Sequence, residues 1–341
     1  MDTLVDDIGS FPLPLGVKSE SFTKSYHLAR EMILQGKDIT KDDFLKENFC
    51  NVVLDSFKKK IASGLDVVNF PQHYDGMKQI GEVIHVAMEK GSFLVEEKNA
   101  VLPEVYLINQ QAKELSEEFG KKIQLRVSIF GPLEQYLLEV GKTPYEDVLD
   151  ALAETIRRFA KNSILNNKYI ETKVVSIDEP SFGLNNIQAT SELICKVLQK
   201  AYDFHGAIRQ IHLHSAAGVN DLLCVKNLDV LSFEYAASPG NINAVSKSML
   251  ERADKQIRVS VSRTDIDSIL AELYEKGIAK PSSEQLVESE DVIWKRFRLA
   301  KEKYGERMSF TGPDCGLGGW PSQEAAQLLL ERTVKAVKQP T

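Results

Sequence analysis

Eight short β-rich runs, at residues 7–10, 65–70, 123–130, 173–177, 210–214, 230–234, 257–262 and 308–311, recur along the whole chain. Longer amphipathic stretches separate them, among them 42–63, 103–119, 145–165, 189–205 and 322–337. A strand followed by a helix returns the chain in the same direction, so repeated units of this kind build a parallel sheet. About eight of them in 341 residues predict a closed (β/α)8 barrel rather than an open doubly wound sheet. No Gly/Ser-rich or Pro-rich linker interrupts the rhythm, which predicts one domain over 1–341. A charged stretch at 279–307, with Pro281 and Ser282-Ser283 suited to starting a helix, predicts an enlarged helical connection at about 266–307.

Hydrophobic residues make up 43% of the chain and charged residues 27%, enough apolar material for a large core. A net charge of −7 argues against a nucleic-acid backbone as partner, because such a partner needs a basic face. The Lys58-Lys59-Lys60 run is expected on a solvated helix face. The N-terminal residues lack the basic start and apolar core of a secretory signal. No apolar stretch approaches the roughly 20 residues needed to cross a bilayer. The four cysteines, Cys50, Cys195, Cys224 and Cys315, show no paired spacing. The expectation is a chain of the reducing cytoplasm with neither nucleic-acid nor membrane partner.

In a barrel of this kind the chemistry gathers at the C-terminal ends of the strands. Those ends carry Gly9-Ser10, Gln72-His73, Asp178-Glu179, His212 and His214, Glu234, and Asp314-Cys315. His212 and His214 alternate along one strand and so share a face; they read either as metal ligands, since imidazole suits zinc, or as hydrogen-bonded core residues. Glu234 closes an otherwise apolar run, where a carboxylate needs a partner. Cys315 precedes Gly316, which permits close backbone approach. Cys50, Cys195 and Cys224 fall in helical patterns and read as inert. Asp178 and Glu179 are adjacent, so their side chains diverge: one faces the axis while the other braces the loop, or both cap a helix start.

Taken in order, Ile8-Gly9-Ser10-Phe11-Pro12, Gly131-Pro132, Ile177-Asp178-Glu179-Pro180, Gln210-Ile211-His212-Leu213-His214, Glu234 and Pro313-Asp314-Cys315-Gly316-Leu317 resemble the catalytic domain of cobalamin-independent methionine synthases, in a short single-barrel form. The resemblance implies a zinc-dependent methyltransferase acting on a small thiol, homocysteine first. It implies His214, Glu234 and Cys315 as zinc ligands, with His212 a further candidate. Asp178 would hold the substrate amine, with Glu179 a nearby substrate-binding candidate, and Gly9 and Ser10 would meet its carboxylate. A methylated corrinoid protein or a methyl-pterin is the implied donor.

Three departures mark the match. Ala216 stands where the family has a cysteine ligand. Gln72 stands roughly where a glutamate grips the amine, which favours an amine-free thiol as alternative acceptor. Gly318-Gly319-Trp320 replaces basic residues, so either the substrate is not homocysteine or the donor side differs. A barrel that binds a ligand or a corrinoid protein without turnover is the remaining alternative, and Ala216 motivates it.

Overall fold

Eight strands form: β1 (Leu4–Val5), β2 (Val68–Asn69), β3 (Ile123–Phe130), β4 (Ile170–Asp178), β5 (Ile208–Leu213), β6 (Val230–Phe233), β7 (Gln256–Ser262) and β8 (Met308–Pro313). They come from a computed structural model that describes residues 2–339. All pairings are parallel, in the order β1-β8-β7-β6-β5-β4-β3-β2. A parallel bridge between Asp6 and Val67 joins the two ends. The result is a (β/α)8 barrel with helices flanking the sheet.

The side-chain period of two in a strand decides what goes inside. Val175, Ile177, Ile211, Leu213, Leu231 and Phe233 face outward into the large core shared with the helices. The alternate positions face the axis and read in layers. At the bottom Val67, Val174, Val230 and Phe310 form a separate apolar cluster with Leu4 and Ile208. Above it Asp6 accepts from Arg126 Nη1 at 2.7 Å and from Arg258 Nε at 2.6 Å, all three fully buried. One residue pair further along, Asp178 lies opposite His212, and His212 opposite Ser232.

The first strand lies earlier than the expected 7–10. Gly9 adopts φ +58°, and Asp7 is committed to the Asn69 N–H at 2.8 Å and to Lys60 Nζ at 2.6 Å. Residues 7–10 therefore turn away from the sheet over the rim. The same ion pair overturns the reading of Lys60 as part of a solvated face: it is fully buried.

The expected helix at 42–63 is broken by a π-helical turn, Lys46–Cys50, before Asn51–Ala62. The stretch 103–119 divides into Pro103–Gln110 and Ala112–Phe119. Two further helices shape the rim. Ser19–Leu34 buries Phe22, Tyr26, Ala29 and Ile33, and Gly76–Met88 starts where Asp75 accepts the Met77 and Lys78 N–H groups. Between β7 and β8 run Ile266–Glu275, Ser283–Leu286 and Glu290–Tyr304. Cys50 and Cys195 lie in helical turns, but Cys224 sits in an exposed turn. No helix among the described residues is long and apolar enough to cross a membrane.

Candidate metal centre

His212 is on β5, His214 follows its last residue, Glu234 follows β6, and Cys315 lies two residues beyond β8. One ligand atom from each of these four side chains falls within 4.8 Å of all the others. Cys315 Sγ is 3.6 Å from His214 Nε2, and His214 Nε2 is 3.7 Å from Glu234 Oε1. Four ligands about 2.0–2.3 Å from a tetrahedral zinc are roughly 3.3–3.8 Å from one another, and both His214 spacings fall in that range. His212 Nδ1 meets Ser232 Oγ at 3.2 Å, while its buried Nε2 has no partner. An orphaned lone pair at that depth is costly unless something binds it.

The electrostatics agree with the donor set. Burial, with Asp314 and Asp265 nearby, pushes the Glu234 carboxyl up to about 8. Burial, with Glu234 beside it, pushes the Cys315 thiol up to about 12. Burial lowers both His214 and His212, which keeps their nitrogens neutral. Each acid is held in its protonated form because nothing positive stands among them. A cation would reverse that, releasing protons as it binds.

Neighbouring groups fix the ligands. Asn241 donates to the carbonyls of His214 (2.9 Å) and Glu234 (2.8 Å), and its oxygen accepts the Ala216 N–H at 3.1 Å. Asp314 accepts from Ser260 Oγ and from the N–H groups of Tyr235, Ala236 and Ala237 at 2.7–2.9 Å, so it holds the loop carrying Glu234. Thr264 Oγ1 accepts the Cys315 N–H at 3.1 Å. The sequence marked neither Asn241 nor Thr264 as a site residue. Ala216 is fully buried in the apolar core.

The cluster faces two chambers. The larger, about 710 Å³, is lined by Gly9, Ser10, Gln72, Asp178, His212, His214 and Cys315, and extends outward to His27, Tyr74 and Glu82. The smaller, about 380 Å³, shares His214 and Cys315 and adds Glu234 and Trp320.

Asp178 enters the larger chamber on the inward face of β4, held by Ser176 Oγ at 2.5 Å. Burial raises its carboxyl to about 6, against the opposing pull of Arg126. Glu179 points the other way and lines no chamber. Its oxygens accept the N–H groups of Leu133 (3.0 Å) and Glu134 (2.6 Å) at the start of the helix Pro132–Glu139. That contact holds Glu179, expected as a substrate-binding candidate, away from both chambers, and it requires Gly131, where a Cβ would run into the carboxylate.

Gln72 reaches the larger chamber from backbone at φ +47°, a region costly for a side chain with a Cβ. Its amide nitrogen lies 3.5 Å from both Gln79 Oε1 and the Ser128 carbonyl. Ser10 is pinned to the far end of the chain: its carbonyl accepts from Leu317 N at 2.6 Å and its Oγ from Gly318 N at 3.1 Å. A Cβ at Gly316 or Gly318 would lie 2.7 or 2.6 Å from that Oγ.

No protein-family model and no curated protein matches the sequence significantly. Among solved structures the chain is similar to a B12-independent methionine synthase from Shewanella sp. W3-18-1, captured with selenomethionine. That likeness has a TM-score of 0.61 at 12% identity and covers 99% of this chain and 97% of the other. A GH113 β-1,4-mannanase aligns over the full length of both chains at 10% identity and a TM-score of 0.47, too weak to argue from. What the likeness to the methionine synthase shows is the (β/α)8 barrel.

Proposed function

We propose that this chain is a zinc-dependent S-methyltransferase whose acceptor is a small thiol, with homocysteine as first choice. The observation that carries the reading is the convergence of His212, His214, Glu234 and Cys315 at the strand ends, with one ligand atom of each within 4.8 Å of the others. The order of the strand-end motifs supports it, as does a fold neighbour described as a methionine synthase.

A zinc ion held by these residues would lower the pKa of an incoming thiol and keep its sulfur nucleophilic at neutral pH. The chain's own groups do the rest. Cys315 and Glu234 give up their protons when the site is charged. Asp178 accepts hydrogen bonds from a substrate ammonium in the larger chamber. The Gly9–Ser10 turn offers a polar wall to the opposite end of the substrate. His212 would supply the fourth ligand where Ala216 supplies none, and it would yield or stay according to how the thiol binds.

Gln72 favours a second acceptor, a thiol without an amino group, because an amide grips an ammonium less well than a carboxylate. The test is metal analysis of purified protein, followed by cobalt substitution and titration with homocysteine and with an amine-free thiol. A thiolate-to-cobalt charge-transfer band on thiol addition is expected. Protein that takes up no stoichiometric metal, or whose cobalt spectrum ignores thiols, overturns the proposal.

A further inference from the structure

The smaller chamber differs from the larger in charge. Besides the two shared ligands, its titratable lining groups are Glu234, Asp265, Asp267 and Asp314, and no lysine or arginine lines it. Arg263 neutralises Asp265 from behind, at 2.7–2.9 Å, and also pairs with Glu272. Asp314 is spent on backbone N–H groups. Asp267, exposed in the first turn of Ile266–Glu275, makes no ion pair among the described residues. Trp320 completes the wall, its indole N–H fixed on the Thr264 carbonyl at 3.1 Å. It belongs to the Gly318-Gly319-Trp320 segment, where the resembling family carries basic residues.

We infer that the smaller chamber binds the methyl donor, and that this donor is a small onium compound carrying its methyl group on positively charged sulfur or nitrogen. The inference rests on the methyltransfer reading above and names its second substrate. An aromatic face beside a carboxylate is the chemistry that recognises methylated cations, and Trp320 and Asp267 supply the pair here. At about 380 Å³ the chamber suits a small molecule and is too small to enclose a corrinoid. With no lysine or arginine in its lining, it offers no partner to a donor bearing several carboxylates.

Its position suits the reaction, because the sulfur would lie between acceptor and donor. The thiol releases its proton to solvent on binding, and its sulfur attacks the methyl carbon. The new C–S bond forms as the donor's C–S⁺ or C–N⁺ bond breaks. The electron pair stays on the donor heteroatom, which leaves as a neutral sulfide or amine.

The test titrates full-length protein, metal-free and zinc-loaded, with trimethylsulfonium and tetramethylammonium, using dimethyl sulfide as the neutral control. Saturable binding of both cations, at least tenfold tighter than dimethyl sulfide, is expected in both forms. Asp267→Asn should weaken it severalfold and Trp320→Leu about tenfold, whereas Glu82→Gln in the larger chamber should leave it unchanged. Asp267 is exposed, so the first variant stays informative if the tryptophan variant does not fold. No preference for the cations, or loss caused by Glu82→Gln rather than Asp267→Asn, overturns the inference. Failure of the zinc–thiol reading shows separately, as a cobalt spectrum that ignores thiols. With trimethylsulfonium as donor, methylated thiol and dimethyl sulfide should appear in equal amounts.

Discussion

Two layers of the barrel interior, one above the other, treat buried charge in opposite ways. In the middle layer Asp6 takes one N–H from each of two arginines, so opposite charges meet inside a dry barrel. At the rim Glu234 and Cys315 crowd together with two neutral histidines and no internal cation, and both acids are driven toward their protonated forms. The middle layer is fully buried, and the rim cluster is half-buried around a buried His212. What separates them is whether the chain supplies its own counter-charge. A self-paired layer braces the fold, whereas a layer of unanswered donors is built for a ligand the chain lacks.

Substitutions in the two layers should therefore fail differently. Asp6→Asn leaves two buried guanidiniums without their carboxylate, and a loss of about 3–5 kcal/mol, or failure to fold, is expected in urea denaturation. A variant as stable as the parent would mean that the arginines are answered elsewhere. Cys315→Ser should leave the metal-free fold nearly as stable. Zinc affinity in chelator competition should drop roughly a hundredfold, because four ligands share a binding free energy of about 10–16 kcal/mol. Asn241→Ala removes the strut between the His214 and Glu234 carbonyls, and a drop in zinc affinity of about 10–100-fold is expected for such a supporting group.

Gln72→Glu should shift the kcat/KM ratio toward homocysteine over an amine-free thiol by about tenfold, the gain from charge assistance. An unchanged ratio would place the ammonium elsewhere. The smallest effect concerns pH. The folded chain raises Glu234 to about 8 and Asp178 to about 6, above their unfolded values of about 4. The stability these protons contribute is complete below about pH 4 and fades as pH rises through 6 to 8. Metal-free protein should accordingly melt a few degrees lower at pH 8 than at pH 5, and Glu234→Gln should flatten that slope. A Tm that rises over this interval would contradict the assigned protonation.

The barrel was legible because its rhythm is carried by local pattern, and β3 runs over the residues expected. The rim motifs were legible because each sits at a strand end. The first strand was misplaced because Asp7 looks like a strand residue until its partner Lys60, far away in sequence, is known. Choosing between Asp178 and Glu179 required parity: Val174, Ser176 and Asp178 share the inward face, and that alternation was present in the sequence. Asn241 and the acidic second chamber could not be read, because they depend on loops from several strands meeting at the rim.

Ser10 and the Leu317–Gly318 segment touch across nearly the full length of the chain. Cys315 lies just before that contact, whereas the other donors come from β5 and from the ends of β5 and β6, which reach β8 through β7 and not through β1. Metal held by the four residues would staple the β5–β8 half of the barrel into one unit while spanning none of the β1–β8 seam. Unfolding of the zinc-loaded protein would therefore start at the seam the metal leaves untied.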